Sequence, residues 1–505
     1  MRNCKITPEF IIKVAIWLVF GFFAGYSILL LYKHSPNVAG VENNTIYFIQ
    51  RLLDGQTLYT DPELPPYAIA QYGPLYYYLS AGFSWLAGSG SADVTQLFFL
   101  NRLFSIILIL SAAGVVSYNA YAVFKLSAER AILLYAIVCI FFEISTYARA
   151  DSLSLLFICL SIHFLTSYYQ QNPKRLIDLI LSACMAALAV FSKQSAVSVF
   201  IITSVWFLYK KELYRAFIYS TVCILALLTG VFLLYLRQPL SPVYKNVILG
   251  INNGINVSVY FNYIVHEFFA RQGLTWILLS IPVVYLLGKS GETNRQYLAF
   301  LISGQFFFSS VAALKYGSSS NYFTEWWVFL LAGTALCWPF FLETCKKIHT
   351  WVLPAFILLL LFLRSTTLIQ PVYMITALEQ KKIRELTLKD EKKLVRLIRK
   401  RAGSDPFLVF NNIFSPDSYL NNLLYKEAVV PQNDIVVLGT YFRNIFNYDH
   451  LRIQLVNGEI RFLVLPITRK GFLEIPVSEY NLVDSTDSYC LFEHIRFKGM
   501  QKTTE

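Results

Sequence analysis

The sequence predicts an α-helical polytopic membrane protein, with about eleven transmembrane helices and a small α/β domain at its C-terminus. Three observations predict it. Of the 505 residues, 56% are hydrophobic and only 15% charged, which is more apolar material than one water-soluble core can hide. The apolar residues gather in runs about as long as a bilayer is thick. The net charge of +12 comes from basic residues paired between those runs instead of from one tract, so it reads as membrane topology and not as a nucleic-acid surface.

The first run, 11–32, follows Arg2 and Lys5; it is long enough to span and lacks a small-residue cleavage site, and so reads as an uncleaved helix. Ten more follow at 99–124, 131–147, 153–169, 176–191, 197–209, 216–236, 274–287, 297–314, 326–342 and 351–369. Counted from a cytoplasmic N-terminus, every even connection is basic: Lys125 and Arg130, Lys174 and Arg175, Lys210, Lys211 and Arg215, Lys289 and Arg295, Lys346 and Lys347. The odd connections then face the non-cytoplasmic side. They are a long loop at 33–97, a middle loop at 237–271, and short loops around Arg149, Lys193 and Lys315. Counting the aromatic stretch 73–87 as a span would invert the basic-loop pattern, so it is expected to be an interfacial or re-entrant helix. Five of the eight cysteines lie in apolar runs, with no disulfide framework or zinc spacing.

After Pro371 the composition changes. The membrane unit is expected over 1–372, a charged connector helix over 373–402 with apolar Ile383, Leu386, Leu394 and Leu397, and a non-cytoplasmic α/β domain over 403–505. In that domain the runs 407–410, 435–438 and 461–465 read as strands, and 419–426 and 441–451 as helices.

The first outer loop places Glu42 at the start of an amphipathic helix (Ile46, Ile49, Leu52, Leu53) that Gly55 ends. An acid there is also simply favourable at a helix N-terminus. Three later outer loops carry Arg149-Ala-Asp151, Lys193-Gln194 and Lys315 through Asn321-Tyr322 to Glu325. Cations here run against the positive-inside trend. One isolated at a helix end snorkels to headgroups, whereas three on one face, beside acids that orient them, suit an anionic lipid phosphate. Asp151 also fits an N-cap, and Asn321 and Tyr322 fit a cap of the next span.

The run from Glu42 through Leu-Leu-Asp54-Gly-Gln-Thr-Leu-Tyr-Thr-Asp61-Pro to Tyr72-Gly-Pro-Leu-Tyr-Tyr resembles the first periplasmic loop of bacterial family 39-like glycosyltransferases of the GT-C fold. Arg149-Ala-Asp151-Ser-Leu, Ser-Lys193-Gln194, and Gly317 to Asn321-Tyr322-Phe follow in the family's order. The resemblance implies transfer of a sugar from a polyprenyl-phosphate donor to a glycan, lipid or protein acceptor outside the cytoplasm, at the cell (inner) membrane, with a first-loop carboxylate as base. Here that residue is Glu42, with Asp54 and Asp61 as competitors, since many relatives have aspartate or an Asp-Glu pair.

Physically, a carboxylate can take the acceptor proton, while Arg149, Lys193 and Lys315 stabilise the departing phosphate. Asp151 orients Arg149 or the acceptor, and Gln194, Asn321 and Tyr322 are the other substrate-binding candidates. The middle loop adds Asn252, Asn253, Asn256, His266, Glu267 and Arg271. Some GT-C enzymes use a divalent metal, but with no Asp-x-Asp pair in the first loop no essential metal is expected. The main alternative, a transporter or flippase of a lipid-linked or anionic solute, needs charges at mid-depth and paired halves; the spans offer His163, with Glu143 near an outer end, and no repeat. A non-catalytic scaffold leaves the outer cations unexplained.

Overall fold

A computed structural model of the chain describes residues 7–33, 41–141, 146–252, 254–266, 268, 273–315, 318, 320–348, 355, 357–362, 364, 378–403, 405–409, 419–426, 428–429, 445–466, 477–487 and 489–497. Helix α1 (Pro8–Leu31) opens on Thr7, whose hydroxyl accepts the Phe10 N–H at 3.3 Å. Pro8 sits at its first position, where the missing N–H has no partner to lose. There follow α2 (Val41–Leu53), α3 (Pro74–Leu86), α4 (Val94–Ala122), α5 (Ala128–Ile140), α6 (Asp151–Gln170), α7 (Leu176–Ser192), α8 (Val197–Tyr209) and α9 (Leu213–Tyr235). After α10 (Leu240–Tyr244) come α11 (Gly273–Gly288), α12 (Thr293–Ala312) and α13 (Thr324–Ile348).

The first ten predicted runs coincide with α1, α4 to α9 and α11 to α13, and the eleventh is helical over 357–362. Among the described residues, five helices are long and apolar enough to cross a membrane by length and composition: those within 9–31, 94–122, 151–170, 213–235 and 321–344. The segments 176–192, 194–209 and 273–288 are shorter apolar helices. Their buried faces build one core: α6 packs on α4 and α7, α7 on α9, α1 on α5, and α12 on α8, α11 and α13. On the outside, α9 exposes Leu225, Leu228 and Phe232, a surface that only lipid can cover favourably.

The stretch 73–87 forms α3, a short helix against α2, α4 and α7. Helix α2 also forms, and Gly55 beyond its end takes φ +73°, which glycine adopts without strain. It differs from a surface amphipathic helix in one respect. Its polar residues Glu42, Asn43, Asn44, Gln50 and Arg51 are buried too. The C-terminal domain covers that side. Asn422 donates its amide to the Asn43 carbonyl (3.2 Å) and to Gln50 Oε1 (3.0 Å), and Gln50 Nε2 donates to the Asn422 and Ser91 carbonyls at 3.0 and 2.7 Å.

The expected connector forms α14 (Leu378–Ala402), and beyond it lies a mixed five-stranded sheet. Its strands are β1 (Phe407–Val409), β2 (Ala428–Val429), β3 (Phe462–Pro466), β4 (Tyr480–Ser485) and β5 (Tyr489–His494), in the order β2-β1-β3-β5-β4. Strand β1 runs parallel to β2 and β3, and β5 antiparallel to β3 and β4. The two-residue period divides the core. Leu408, Leu463, Leu465 and Phe492 face α16 (Asp449–Val456) and Tyr67 and Ile69 of the first outer loop. Phe407, Val409, Phe462, Val464 and Leu491 face Leu394, Val395 and Ile398 of α14. Leu397 of the predicted apolar stripe is half-buried, while the side chains of Ile383 and Leu386 lie outside the described residues. So does the run 435–438. The predicted helix at 419–426 shortens to α15 (Leu420–Leu423), and the one at 441–451 starts only at Asp449.

Candidate active site

Four helix ends meet beside α2 and α3: the start of α6, the end of α7, the end of α12 and the start of α13. Lys193 caps α7 in an extended conformation, after which a short 3-10 turn (Gln194–Ala196) leads into α8. That break in the helix turns the lysine inward. Asp151 Oδ1 accepts from Lys193 Nζ at 2.7 Å and from Asn321 Nδ2 at 3.0 Å. Arg149 Nε lies 3.2 Å from Asp151 Oδ2, an ionic contact not aligned as a hydrogen bond. Each of the four residues is less than a tenth exposed. The Lys193 ammonium also sits 5.0 Å from the centre of the Tyr322 ring. Gln194 Nε2 donates to the Gln71 and Val247 carbonyls (2.8 and 3.2 Å), fastening the long and middle outer loops to this corner. The predicted residues Arg149, Asp151, Lys193, Asn321 and Tyr322 thus come together, although they come from three separate loops.

Lys315 joins them from the end of α12. Ile255 of the middle loop forms an antiparallel bridge to it, and the Asn256 N–H donates to the Leu314 carbonyl at 3.1 Å. Asn252 and His266 are exposed, and Asn253, Glu267 and Arg271 lie outside the described residues. Glu325, which ends the third outer-loop motif but had no role assigned, lies in the first turn of α13, buried and within electrostatic reach of Lys193. Among the described residues no other residue forms a hydrogen bond or ion pair with its carboxylate, which takes a bond from its own backbone N–H. Also missed was Asn246, wholly buried, which accepts the Ala70 N–H at 2.7 Å and donates to the Thr60 and Pro242 carbonyls.

Charge distinguishes the three cations. Burial works to lower Lys193, but Asp151 and then Glu325 outweigh it and hold the ammonium above its ordinary value. Arg149 is likewise penalised by burial and kept charged by Asp151. Lys315 is the reverse. Burial pushes it below the ordinary 10.5, and the Lys193 charge adds to the effect while Tyr322 works against it. Among the described residues no carboxylate pairs with Lys315, so three cations face two carboxylates and the corner attracts an anion.

A pH dependence follows. An anion bound beside Lys315 raises its depressed pKa, so affinity is greatest while the free protein's Lys315 is protonated. It falls as pH rises through that pKa, and the fall begins below 10.5. Titrating the affinity for a lipid phosphate against pH should show this step in the wild type and lose it in Lys315→Gln.

Glu42, the expected base, is held differently. Its two oxygens accept from Arg102 Nε and Nη2, each at 2.8 Å, and Oε1 also accepts the Ala148 N–H at 3.1 Å. Both side chains of the pair are 0% exposed. Arg102 Nη1 binds the Leu30 and Lys33 carbonyls at 3.0 and 2.7 Å. The pair therefore clamps the end of α1, α2, α4 and the loop carrying Arg149 to one another. In this geometry both carboxylate oxygens of Glu42 are engaged by Arg102. The competing carboxylates are engaged elsewhere. Asp54 accepts from Ser91 (2.7 Å) and Tyr425 and pairs with Lys426 (3.0 Å), against the C-terminal domain. Asp61 takes both its oxygens to Lys245 at 2.9 and 2.8 Å.

Within the bundle, half-buried His163 Nδ1 lies 3.1 Å from Asn119 Oδ1, a hydrogen bond that occupies one of its ring nitrogens; Glu143 lies outside the described residues. Among the described residues no three His, Cys, Asp or Glu side chains gather at metal-binding distance.

No protein-family model matches the sequence, and no curated protein matches it. Solved structures do. The chain is similar to ArnT from Cupriavidus metallidurans in the apo state, with a TM-score of 0.61 at 12% identity over 95% of this chain and 97% of that one. The same protein bound to undecaprenyl phosphate matches with a TM-score of 0.61 at 12% identity, over 94% of this chain and 97% of that one. The archaeal oligosaccharyltransferase AglB from Archaeoglobus fulgidus, in complex with an inhibitory peptide and a dolichol-phosphate, matches at 0.52 and 9% identity, over 91% of this chain and 70% of that one. The chain has the GT-C-like membrane fold, a multi-pass helical unit with a small C-terminal sheet domain.

Proposed function

We propose that this protein is a membrane glycosyltransferase that moves a sugar from a polyprenyl-phosphate donor to an acceptor hydroxyl on the non-cytoplasmic face of the cell membrane. The observation that carries the reading is the surplus of cations, buried Arg149 and Lys193 and half-buried Lys315, gathered from separate loops at one corner of a membrane protein. Two of the similar structures hold undecaprenyl phosphate and dolichol-phosphate, which supports a lipid phosphate as the anion. The basic pairs of the even connections support a cytoplasmic N-terminus and an outer C-terminal domain.

In the reaction the acceptor oxygen attacks the anomeric carbon, the bond from that carbon to the phosphate oxygen breaks, and the electron pair leaves with the phosphate. Lys193 and Arg149, kept charged by Asp151, stabilise that growing charge, and Lys315 gains the counter-ion it lacks. Asn321 fixes Asp151. The acceptor proton goes to Glu325, the carboxylate of the cluster that no other described residue binds, while Glu42 and Arg102 position the Arg149 loop. A flippase reading finds less support, since His163, the deep candidate in the spans, is hydrogen-bonded to Asn119.

The test is transfer from a purified polyprenyl-phosphate sugar in nanodiscs, followed by mass spectrometry of the released polyprenyl phosphate. The wild type should release it with acceptor present, and Glu325→Gln should slow release by on the order of 10² to 10⁴-fold with donor binding retained. Normal turnover in Glu325→Gln would return the base to Glu42, and no release by the wild type with any envelope acceptor would overturn the reaction.

A further inference from the structure

We infer a second anion site, a pocket on the C-terminal domain that takes the phosphate-bearing headgroup of a lipid; it stands independently of the transfer reaction. A cavity of about 280 Å³ opens between α14, the residues after α15 and the segment before α4, and Lys392, Arg396, Arg399 and Lys426 line it with Tyr425 and Ala92. The three cations of α14 stand at i, i+4 and i+7 and so share one helix face. Two carboxylates of the same helix, Asp390 and Glu391, are engaged elsewhere. Asp390 accepts the Thr486 hydroxyl at 2.9 Å, and Glu391 accepts the Tyr419 N–H at 3.0 Å. Lys426 pairs with Asp54, but among the described residues no carboxylate pairs with Lys392 or Arg396. Like charges four residues apart work against a helix, and an anion between them removes the repulsion. Arginine is the side chain best shaped to grip a phosphate with two donors at once.

The surroundings indicate a lipid-borne phosphate. Ala92 lies in the segment that follows α3, whose last residues, Trp85 and Leu86, are 70% and 78% exposed. An exposed tryptophan and leucine belong at the boundary of a bilayer, so the cationic pocket sits beside lipid headgroups. It is separate from the cluster around Asp151, yet coupled to it. Asn422, in the wall of the pocket, donates to the carbonyl of Asn43, the neighbour of Glu42 in α2.

The experiment is a titration of the full chain, in phosphatidylcholine nanodiscs, with dioctanoyl phosphatidic acid, read by native mass spectrometry. The probe should bind the wild type and Lys193→Gln alike and lose about tenfold or more in affinity for Arg396→Gln/Arg399→Gln. Both arginines are exposed, so that variant should melt with the wild type; Lys392→Gln gives the same comparison if it does not. Inorganic phosphate should compete only at far higher concentration. Unchanged affinity in the double variant and in Lys392→Gln would overturn the site. Equal competition by inorganic phosphate would overturn the lipid assignment, and loss of the probe in Lys193→Gln would place it in the other cluster.

Discussion

Glu42→Gln is expected to destabilise the folded protein by about 3–5 kcal/mol, because it leaves the Arg102 guanidinium charged and wholly buried without its partner. The double variant Glu42→Gln/Arg102→Met should recover much of that loss, since a buried pair replaced on both sides no longer strands a charge. A double-mutant cycle of urea or thermal unfolding in detergent measures both. If Glu42 instead removes the acceptor proton, the pattern differs. Stability then changes little, turnover falls by on the order of 10² to 10⁴-fold, and Arg102→Met restores nothing. The bidentate contact and the extra bond from Ala148 favour the first outcome.

Lys193→Gln should reduce kcat by on the order of 10² to 10³-fold, the loss seen when one group stabilising charge in the transition state is removed. The fold should survive better than in Glu42→Gln, because Asp151 keeps Arg149 and Asn321. Lys193→Arg should rescue part of the rate, and Lys193→Met none. A variant set whose rates follow only the fraction of folded protein would reduce Lys193 to a structural counter-ion of Asp151.

The helices were legible because lipid imposes a long, simple pattern: an apolar run of about 20 residues admits little else. Gly55 was legible for a local reason of backbone geometry. The convergence of Arg149, Lys193 and Lys315 was legible only as a recurrence of cations on one side. The pairing of Glu42 with Arg102 was not legible, although a signal existed: an arginine inside the run 99–124 needs a partner. The partner is 60 residues away, and no periodicity reports such a distance. For the same reason the buried polar side of α2 was read as solvated, since Asn422, which covers Gln50, lies 372 residues further on. Glu325 was legible only as the end of the third outer-loop motif, because its burial beside Lys193 depends on how α13 packs, which no local pattern reports. Strands β2 and β4 were missed because their short runs lack the apolar density of β1 and β3, and β5 was missed although its Tyr489-Cys-Leu-Phe492 carries that density.

The most direct measurement of the central claim is the affinity of the purified protein for undecaprenyl phosphate beside that for undecaprenol, which has the same chain without the phosphate. If Arg149, Lys193 and Lys315 form the site for a lipid phosphate, the phosphate should strengthen binding by on the order of 10²-fold, and Lys193→Gln/Lys315→Gln should remove most of that difference. Equal affinity for the two lipids in the wild type, or a preference untouched by the double variant, would contradict it.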